Sequence, residues 1–257
     1  LMNITHVIRG EEHISNTPLQ LSAYQALGFK PPLFAHLPIL RNSTHQKLSK
    51  RRDPVSLEWF KQQGYLPEAI INFLALQGWS HPKQKDIFAK EEFIKYFELN
   101  KIKTSAPVFD FNKLDWINGE YIRQKSDTEL IKNIKNFSKL NIPDNLWPQI
   151  IPLVKARIKK NSDIDNWISF FVNEPKFDKL LYTKEAVDQL TKILEILEKS
   201  DWKTKTIQQN LLNLVDHTLS WKRAPFFMNL RLAITGQKIS PPLIESMEIL
   251  GKEKCIN

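Results

Sequence analysis

A short loop rich in positive charge is the first feature of this sequence that could do chemistry. The segment HQKLSKRRD, residues 45–53, carries four basic side chains within six positions: Lys47, Lys50, Arg51 and Arg52. Two lysines three positions apart can each meet a different oxygen of a polyphosphate and neutralise the charge that develops on a departing pyrophosphate. The pattern K-x-x-K is common, however, and most charge runs are solvated surface. The spacing alone therefore leaves a phosphate site and a solvated face both open.

Arg9 is a second candidate because it follows the apolar segment Ile4–Ile8, which predicts a short buried strand. Ligands of α/β folds bind at the carboxyl ends of strands, and the planar guanidinium group fits a carboxylate. A structural ion pair with Glu11 or Glu12 is the alternative role for this arginine. We therefore expect Arg9 either to bind an acidic ligand or to stabilise the end of the strand.

A strand–helix–strand unit is predicted to position these residues. The helix begins at Asn16 or Thr17, with Pro18 in its first turn, and ends at Gly28. Its inward face is expected to contain three apolar side chains: Leu21, Tyr24 and Leu27. The segment LFAHLPIL, residues 33–40, is the second strand candidate and leads into the basic loop. Two strands cannot form a stable doubly wound sheet, so we expect further sequence upstream of the opening apolar segment.

The pattern becomes helical from residue 56 onward. Helices are predicted over Ser56–Gln63 and Pro67–Gln77, each followed by a glycine. Residues 110–122 predict two short helices separated by Gly119, and the S-x-x-E pattern at 126–129 is typical of a capping box. Five spaced tryptophans are expected in the core: Trp59, Trp116, Trp147, Trp167 and Trp202. The sequence therefore predicts a mainly α fold with a small α/β part.

The composition favours a polyanionic partner and a reducing compartment. The 37 basic and 28 acidic residues give a net charge of +9, which indicates either a nucleic acid partner or a lysine-rich genome. One cysteine, Cys255, excludes a disulfide framework and a cysteine-based zinc site. No apolar run approaches the roughly 18 residues of a membrane span, and the opening residues lack a signal-peptide pattern. We expect a cytoplasmic protein without a membrane partner.

Segments along the whole chain, taken in order, resemble glutamyl-tRNA synthetase. The basic loop HQKLSKR resembles the KMSKS-type signature of class I aminoacyl-tRNA synthetases, with Leu48 where many members have Met or Ile. It follows LPILRN, and ITHVIRGEEHISNTPLQ lies upstream. The resemblance continues in three later segments: SLEWFKQQGYLPEAIINFLALQGWS, FDFNKLDWINGEYI and LRLAITGQKISPPLIESMEILGKE. None of the six histidines forms the H-x-G-H signature of that family. The resemblance therefore implies that the first half of the nucleotide-binding fold is absent and that this chain alone would not activate an amino acid.

The resemblance also implies roles for individual residues. Lys47 and Lys50 match the signature lysines that stabilise the triphosphate and the departing pyrophosphate, and Arg9 matches the arginine that helps to bind glutamate. The positions that match ATP contacts are Glu12, Ile39, Leu40, Lys47, Ser49 and Lys50. The positions that match anticodon contacts are Arg157, Arg231, Ser240, Pro241 and Leu243. For each of these residues, a packing or surface role is the alternative.

The implied domains are the end of a Rossmann-like catalytic domain over 1–55, a helical stem-contact region over 56–142 and an all-α anticodon-binding domain over 143–257. The implied function is that of a glutamate–tRNA ligase, which acts on glutamate, ATP with Mg²⁺ and tRNA(Glu), without a protein-bound structural metal. We expect a monomer. A non-catalytic tRNA-binding module and one half of a split synthetase are the alternatives.

Overall fold

The computed structural model describes residues 2–49, 54–175, 183–218 and 221–256. Lys50, Arg51 and Arg52 of the basic loop lie outside the described residues. The chain divides into two compact units, Leu1–Tyr121 and Ile122–Asn257. The predicted mainly α fold with a small α/β part is confirmed. The three-part division at residues 55 and 142 stays a prediction.

The first unit begins with a two-stranded parallel sheet, β1 (His6–Gly10) and β2 (Leu33–Leu37), joined through a 3₁₀ turn and helix α1 (Thr17–Ala26). This confirms the predicted strand–helix–strand order. In the register of the sheet, Arg9 lies opposite His36. Strand β2 ends earlier than the predicted residue 40 because Pro38 follows it, and proline cannot donate a hydrogen bond to a sheet.

The prediction that this part is buried is wrong. Ile8 of β1 is 49% exposed, and Leu21 and Leu27 on the expected inward face are 40% and 69% exposed. No residue of α1 is buried. A helix buries its apolar side only against a layer wide enough to cover it, and a sheet of two strands is too narrow to do so.

The remaining helices of the first unit form its core. They are α2 (Leu57–Gln62), α3 (Pro67–Gly78), α4 (Lys90–Tyr96) and α5 (Phe111–Gln124), the last of which continues past residue 121. Helix α5 passes through Gly119 without the predicted break. The adjacent Asn118 is fully buried and its Oδ1 accepts a 2.8 Å hydrogen bond from the Leu66 backbone. Such tertiary contacts outweigh the roughly 1 kcal/mol that a glycine costs inside a helix.

The second unit is entirely helical over its described residues. Its helices are α6 (Asp127–Ile134), α7 (Trp147–Val154), α8 (Ile164–Ile168), α9 (Lys184–Leu197), α10 (Thr204–His217), α11 (Arg223–Thr235), α12 (Leu243–Leu250) and α13 (Lys252–Ile256). Ser126 caps α6 as predicted, because its Oγ accepts a 3.2 Å hydrogen bond from the Glu129 amide. No helix in the described part of the chain is long and apolar enough to cross a membrane.

The five tryptophans predicted in the core fall into three groups. Trp147 is 3% exposed, so its predicted core position is confirmed, whereas Trp116 is 43% exposed and that prediction is wrong. Trp59, Trp167 and Trp202 are half-buried. Trp116 lies on α5 between Leu114 and Ile117, which are both fully buried, so burial changes from one position to the next within this helix turn.

Candidate functional site

Arg9 extends from the carboxyl end of β1 toward α1. Its Nη2 donates to Thr17 Oγ1 at 2.9 Å, its Nε lies 3.4 Å from His36 Nε2, and its guanidinium carbon lies 5.1 Å from the centre of the Phe34 ring. Among the described residues, no carboxylate forms an ion pair with Arg9. The structure therefore lacks the ion pair with Glu11 or Glu12 that was the alternative role for this arginine.

The two glutamates after β1 contact different partners. Glu11 Oε1 accepts a 3.2 Å hydrogen bond from the backbone of Ile39. Glu12 Oε1 lies 3.2 Å from Lys47 Nζ, in an ion pair whose side chains are 39% and 56% exposed. A backbone hydrogen bond and the bond from Lys47 lower the pKa of Glu12 below its usual value. The carboxylate is therefore charged at neutral pH and attracts Lys47.

Gly10 makes the position of Glu12 possible. A Cβ atom at residue 10 would lie 2.0 Å from Glu12 Oε2, well inside any real contact distance. Gly10 has φ −65° and ψ 150°, a conformation open to every amino acid. The glycine therefore leaves room for the carboxylate in this position, and a Cβ atom there would require the flexible end of the Glu12 side chain to shift.

Lys47 lies on a tight hairpin that runs from Leu40 to Leu48. The Leu48 amide donates to the Leu40 carbonyl at 3.0 Å, and Asn42 Oδ1 accepts from the amides of Thr44 and Gln46 at 3.1 and 2.9 Å. An asparagine side chain that accepts bonds from amides two and four residues ahead stabilises a turn. The signal for this role was in the sequence, as Asn42-Ser-Thr, and the sequence analysis missed it.

The hairpin is also anchored to the body of the first unit. The Arg41 amide donates to the Pro107 carbonyl at 3.0 Å, and the Phe109 amide donates to the Arg41 carbonyl at 2.8 Å. Phe109 is only 6% exposed. The base of the hairpin is therefore fixed to the core, and Lys47 extends from a defined backbone rather than from a loose loop.

Four of the residues predicted to contact ATP line one cavity of about 440 Å³: Glu12, Ile39, Leu40 and Lys47. Gly10 and the hairpin residue Leu48 line the same cavity. Ser49 follows on the chain but is not part of the lining, and Lys50 lies outside the described residues. Arg9 is also not part of the lining, because alternate side chains of a strand point to opposite faces.

In the second unit, the predicted anticodon residues meet around Arg231 on α11. Its Nη1 donates to Ser240 Oγ at 2.5 Å and lies 3.3 Å from the Pro241 carbonyl oxygen. Burial lowers the pKa of Arg231, and the positive charge of Arg157 lowers it further. The two guanidinium groups therefore repel one another electrostatically. Among the described residues, neither of them forms an ion pair with a carboxylate.

Three of these predicted residues have little surface: Ser240, Pro241 and Leu243. Ser240 is 1% exposed, and Leu243 is 5% exposed and packs in the helical core of the second unit. Arg231 is held by the first of them, so its position depends on a buried hydroxyl. The structure thus brings Arg231, Ser240 and Pro241 into contact, packs Leu243 into the core and connects Arg157 to Arg231 through its electrostatic effect.

Two family models match the chain end to end. Residues 1–116 match the catalytic domain of class I tRNA synthetases (E and Q), and residues 117–257, more than half of the chain, match the anticodon binding domain. The chain belongs to the class I tRNA synthetases. This synthetase chain is 39% identical over its full length to glutamate–tRNA ligase 1 of Fervidobacterium nodosum, of which it covers 54%.

Other relatives agree. The glutamate–tRNA ligase of Borreliella burgdorferi is 36% identical over 99% of the synthetase chain, which covers 55% of that relative. The crystal structure of a glutamate tRNA ligase from Elizabethkingia meningosepticum, in complex with its amino acid, has a TM-score of 0.83 and 32% identity over 99% of the chain and 56% of that structure. The chain thus spans about half the length of the relatives that it matches.

Proposed function

We propose that this chain carries the signature loop and the anticodon-binding part of a glutamate–tRNA ligase. Such an enzyme activates glutamate with ATP and transfers it to tRNA(Glu). One observation carries the proposal: Glu12, Ile39, Leu40 and Lys47 line a single cavity beyond the carboxyl ends of two parallel strands. That is where α/β folds bind nucleotides. The four residues come from two segments 27 or more positions apart, so their convergence is a property of the fold.

The cavity suits ATP in its chemistry. Ile39 and Leu40 provide an apolar wall for a base, and Lys47 provides a positive charge for phosphates. The Glu12–Lys47 pair is exposed, and exposed pairs contribute only about 0.2–1 kcal/mol, so a triphosphate can compete for the lysine. We propose that Lys47 and Lys50 act on the phosphates, that Glu12 and Ser49 contact the nucleotide, and that Glu12 accepts hydrogen bonds from ribose hydroxyl groups.

Mg²⁺ enters this proposal as part of the ATP substrate. Mg²⁺ commonly binds through one or two carboxylates together with phosphate oxygens and water. The described residues contain no group of three or more His, Cys, Asp or Glu side chains that could hold a metal, and such a group is not needed for a metal that arrives on the triphosphate. When bound, the ion neutralises charge on the phosphates.

Arg9 is proposed to bind the carboxylate of glutamate. Its partners in the structure, Thr17 and His36, are neutral or weakly basic groups at distances of 2.9 and 3.4 Å. Among the described residues no carboxylate forms an ion pair with Arg9, so its guanidinium group is available to an acidic ligand. A charged side chain of the amino acid would be a stronger partner than either present neighbour.

The second unit is proposed to bind the anticodon loop of tRNA(Glu). The positive charge of Arg157 repels that of Arg231 and lowers its pKa, and no carboxylate among the described residues pairs with either arginine. RNA phosphates and base edges accept hydrogen bonds from arginine and relieve that repulsion. Buried Ser240, Pro241 and Leu243 would then shape the site, and Arg157 and Arg231 would face the RNA.

The decisive experiment is glutamate-dependent ATP–pyrophosphate exchange by the complete gene product, measured with and without tRNA(Glu). We expect exchange that requires glutamate and falls strongly in the Lys47→Ala variant. A protein that binds tRNA(Glu) but shows no exchange under either condition would favour the alternative, a tRNA-binding module without activity. The compactness of Ile122–Asn257 as a separate unit is consistent with that alternative. The proposed location is cytoplasmic and the proposed form is a monomer.

A further inference from the structure

Trp167 is a half-buried tryptophan on a firmly anchored helix. It belongs to α8, in which Ile164 and Ile168 are both fully buried. The neighbouring Asn166 is exposed. The two isoleucines fix the helix to the core of the second unit, while part of the indole ring remains in contact with solvent. The ring is therefore a rigid surface, and no residue-level role was predicted for it beyond packing.

The ring lies against the arginine site described above. The guanidinium carbon of Arg157 lies 5.8 Å from the centre of the Trp167 ring. That distance is within the range in which a cation and an aromatic face attract one another. The contact joins the indole ring to Arg157, one of the predicted anticodon residues, so the two side chains form one surface of the second unit.

A second connection ties the same turn to the loop after α11. Gln237 Nε2 donates to the Asn166 carbonyl at 2.8 Å, and the Gln237 amide lies 3.2 Å from Thr235 Oγ1. Gln237 stands between Arg231 and Ser240 in the chain. The backbone next to Trp167 is therefore fixed to the segment that carries the predicted anticodon residues.

We propose that Trp167 is a stacking platform for one unpaired base of the RNA loop bound by Arg157 and Arg231. This inference rests on the proposed tRNA-binding function and adds to it a residue and a type of contact. Unpaired RNA bases are splayed out and stack on aromatic rings or on guanidinium planes. An indole with an arginine beside it offers both surfaces at once, and neither of them requires a particular base.

The test measures binding of a synthetic RNA hairpin, with the sequence of the tRNA(Glu) anticodon stem and loop, to the full 257-residue chain. The variants are Trp167→Leu, which keeps an apolar side chain without a ring, and Trp167→Phe, which keeps a ring. Base–aromatic stacking corresponds to roughly 5- to 150-fold in affinity. We expect Trp167→Leu to lose affinity within that range and Trp167→Phe to retain most of it. Trp116→Leu, the same change at a 43% exposed tryptophan of the first unit, is the matched control.

Two further readouts separate stacking from loss of folding or charge. Removing an arginine that contacts phosphate lowers the slope of log affinity against log salt by about one, whereas Trp167→Leu should leave the slope unchanged. Replacing each loop nucleotide by an abasic one should reveal one position at which wild type loses affinity and Trp167→Leu loses none. The melting curves of the two Trp167 variants record any shared loss of stability.

The outcomes are distinguishable. If wild type binds the hairpin no better than a hairpin with a scrambled loop, the proposed anticodon function fails and this inference fails with it. If wild type discriminates and Trp167→Leu binds as tightly as wild type, the stacking role alone is overturned. Equal losses in Trp167→Leu and Trp167→Phe would also overturn it, because a ring would then confer no advantage.

Discussion

The Lys47→Ala substitution separates the proposed catalytic role of the signature loop from an ordinary surface role. Lys47 is 56% exposed and pairs with Glu12, which is 39% exposed. An exposed pair of this kind contributes about 0.2–1 kcal/mol to stability, so the midpoint of thermal unfolding should fall by less than about 4 °C. If Lys47 stabilises charge on the phosphates in the transition state, exchange should slow by roughly 10²- to 10³-fold, the cost of removing one such preorganised contact.

Lys101 provides a matched control for this experiment. It is 55% exposed and pairs with Glu98 at 2.5 Å, so its surroundings resemble those of Lys47 apart from the cavity. Lys101→Ala should reduce stability by a similar small amount and leave glutamate-dependent exchange unchanged. Lys50→Ala should slow exchange in the same direction as Lys47→Ala. Neither signature-loop change should weaken binding of the anticodon hairpin.

The assay is ATP–pyrophosphate exchange by the complete gene product at saturating glutamate and tRNA(Glu), with thermal melting of the same preparations. Equal slowing by Lys47→Ala and Lys101→Ala would refute the reasoning, because a general electrostatic effect would then explain both. A drop in melting midpoint much greater than 4 °C for Lys47→Ala would refute it in another way, since the exposed pair would then contribute more than its geometry allows.

Three further substitutions probe the hairpin, the anticodon site and the core. Asn42→Ala removes the acceptor of two turn amides and should slow exchange at least several-fold by loosening the position of Lys47, while hairpin RNA binding stays unchanged. Arg231→Ala should weaken RNA hairpin binding roughly 10-fold or more and lower its salt slope by about one, without changing exchange. Tyr121→Phe should destabilise the first unit by about 1–3 kcal/mol in urea unfolding, because the Tyr121 hydroxyl donates to the Phe88 carbonyl at 2.6 Å and lies 2.9 Å from Asn72 Oδ1. Burial of that hydroxyl raises the pKa of Tyr121 to about 12, so this difference should persist unchanged up to pH 9.

Each of these expectations has a result that contradicts it. Normal exchange in Asn42→Ala would mean that the hairpin does not depend on its asparagine. An altered exchange rate in Arg231→Ala would count against a role confined to RNA binding. A Tyr121→Phe protein as stable as wild type would show that Phe88 and Asn72 find other donors when the hydroxyl is removed.

Local features of the fold could be predicted from the sequence because they depend on neighbours in the chain. The β1–α1–β2 order, the cap at Ser126 and the glycine after α2 follow from strand composition, side-chain capping and turn geometry within a few residues. The predictions that failed concern burial. Leu27 and Trp116 are exposed, although their residue types are typical of a core, because burial depends on what packs against each element.

The composition of the candidate sites was decided by contacts between distant residues. The basic loop was visible as a charge run, but only the fold places Lys47 beside Glu12, Glu11 beside Ile39 and Gly10 beneath a carboxylate. In the second unit, the fold places the Arg157 guanidinium carbon 5.8 Å from the centre of the Trp167 ring and joins Gln237, after α11, to the Asn166 carbonyl by a hydrogen bond. The sequence by itself determined which residue types were available for phosphate, carboxylate and RNA. The tertiary structure decided which of them meet, since charge and stacking act through distance in space rather than along the chain.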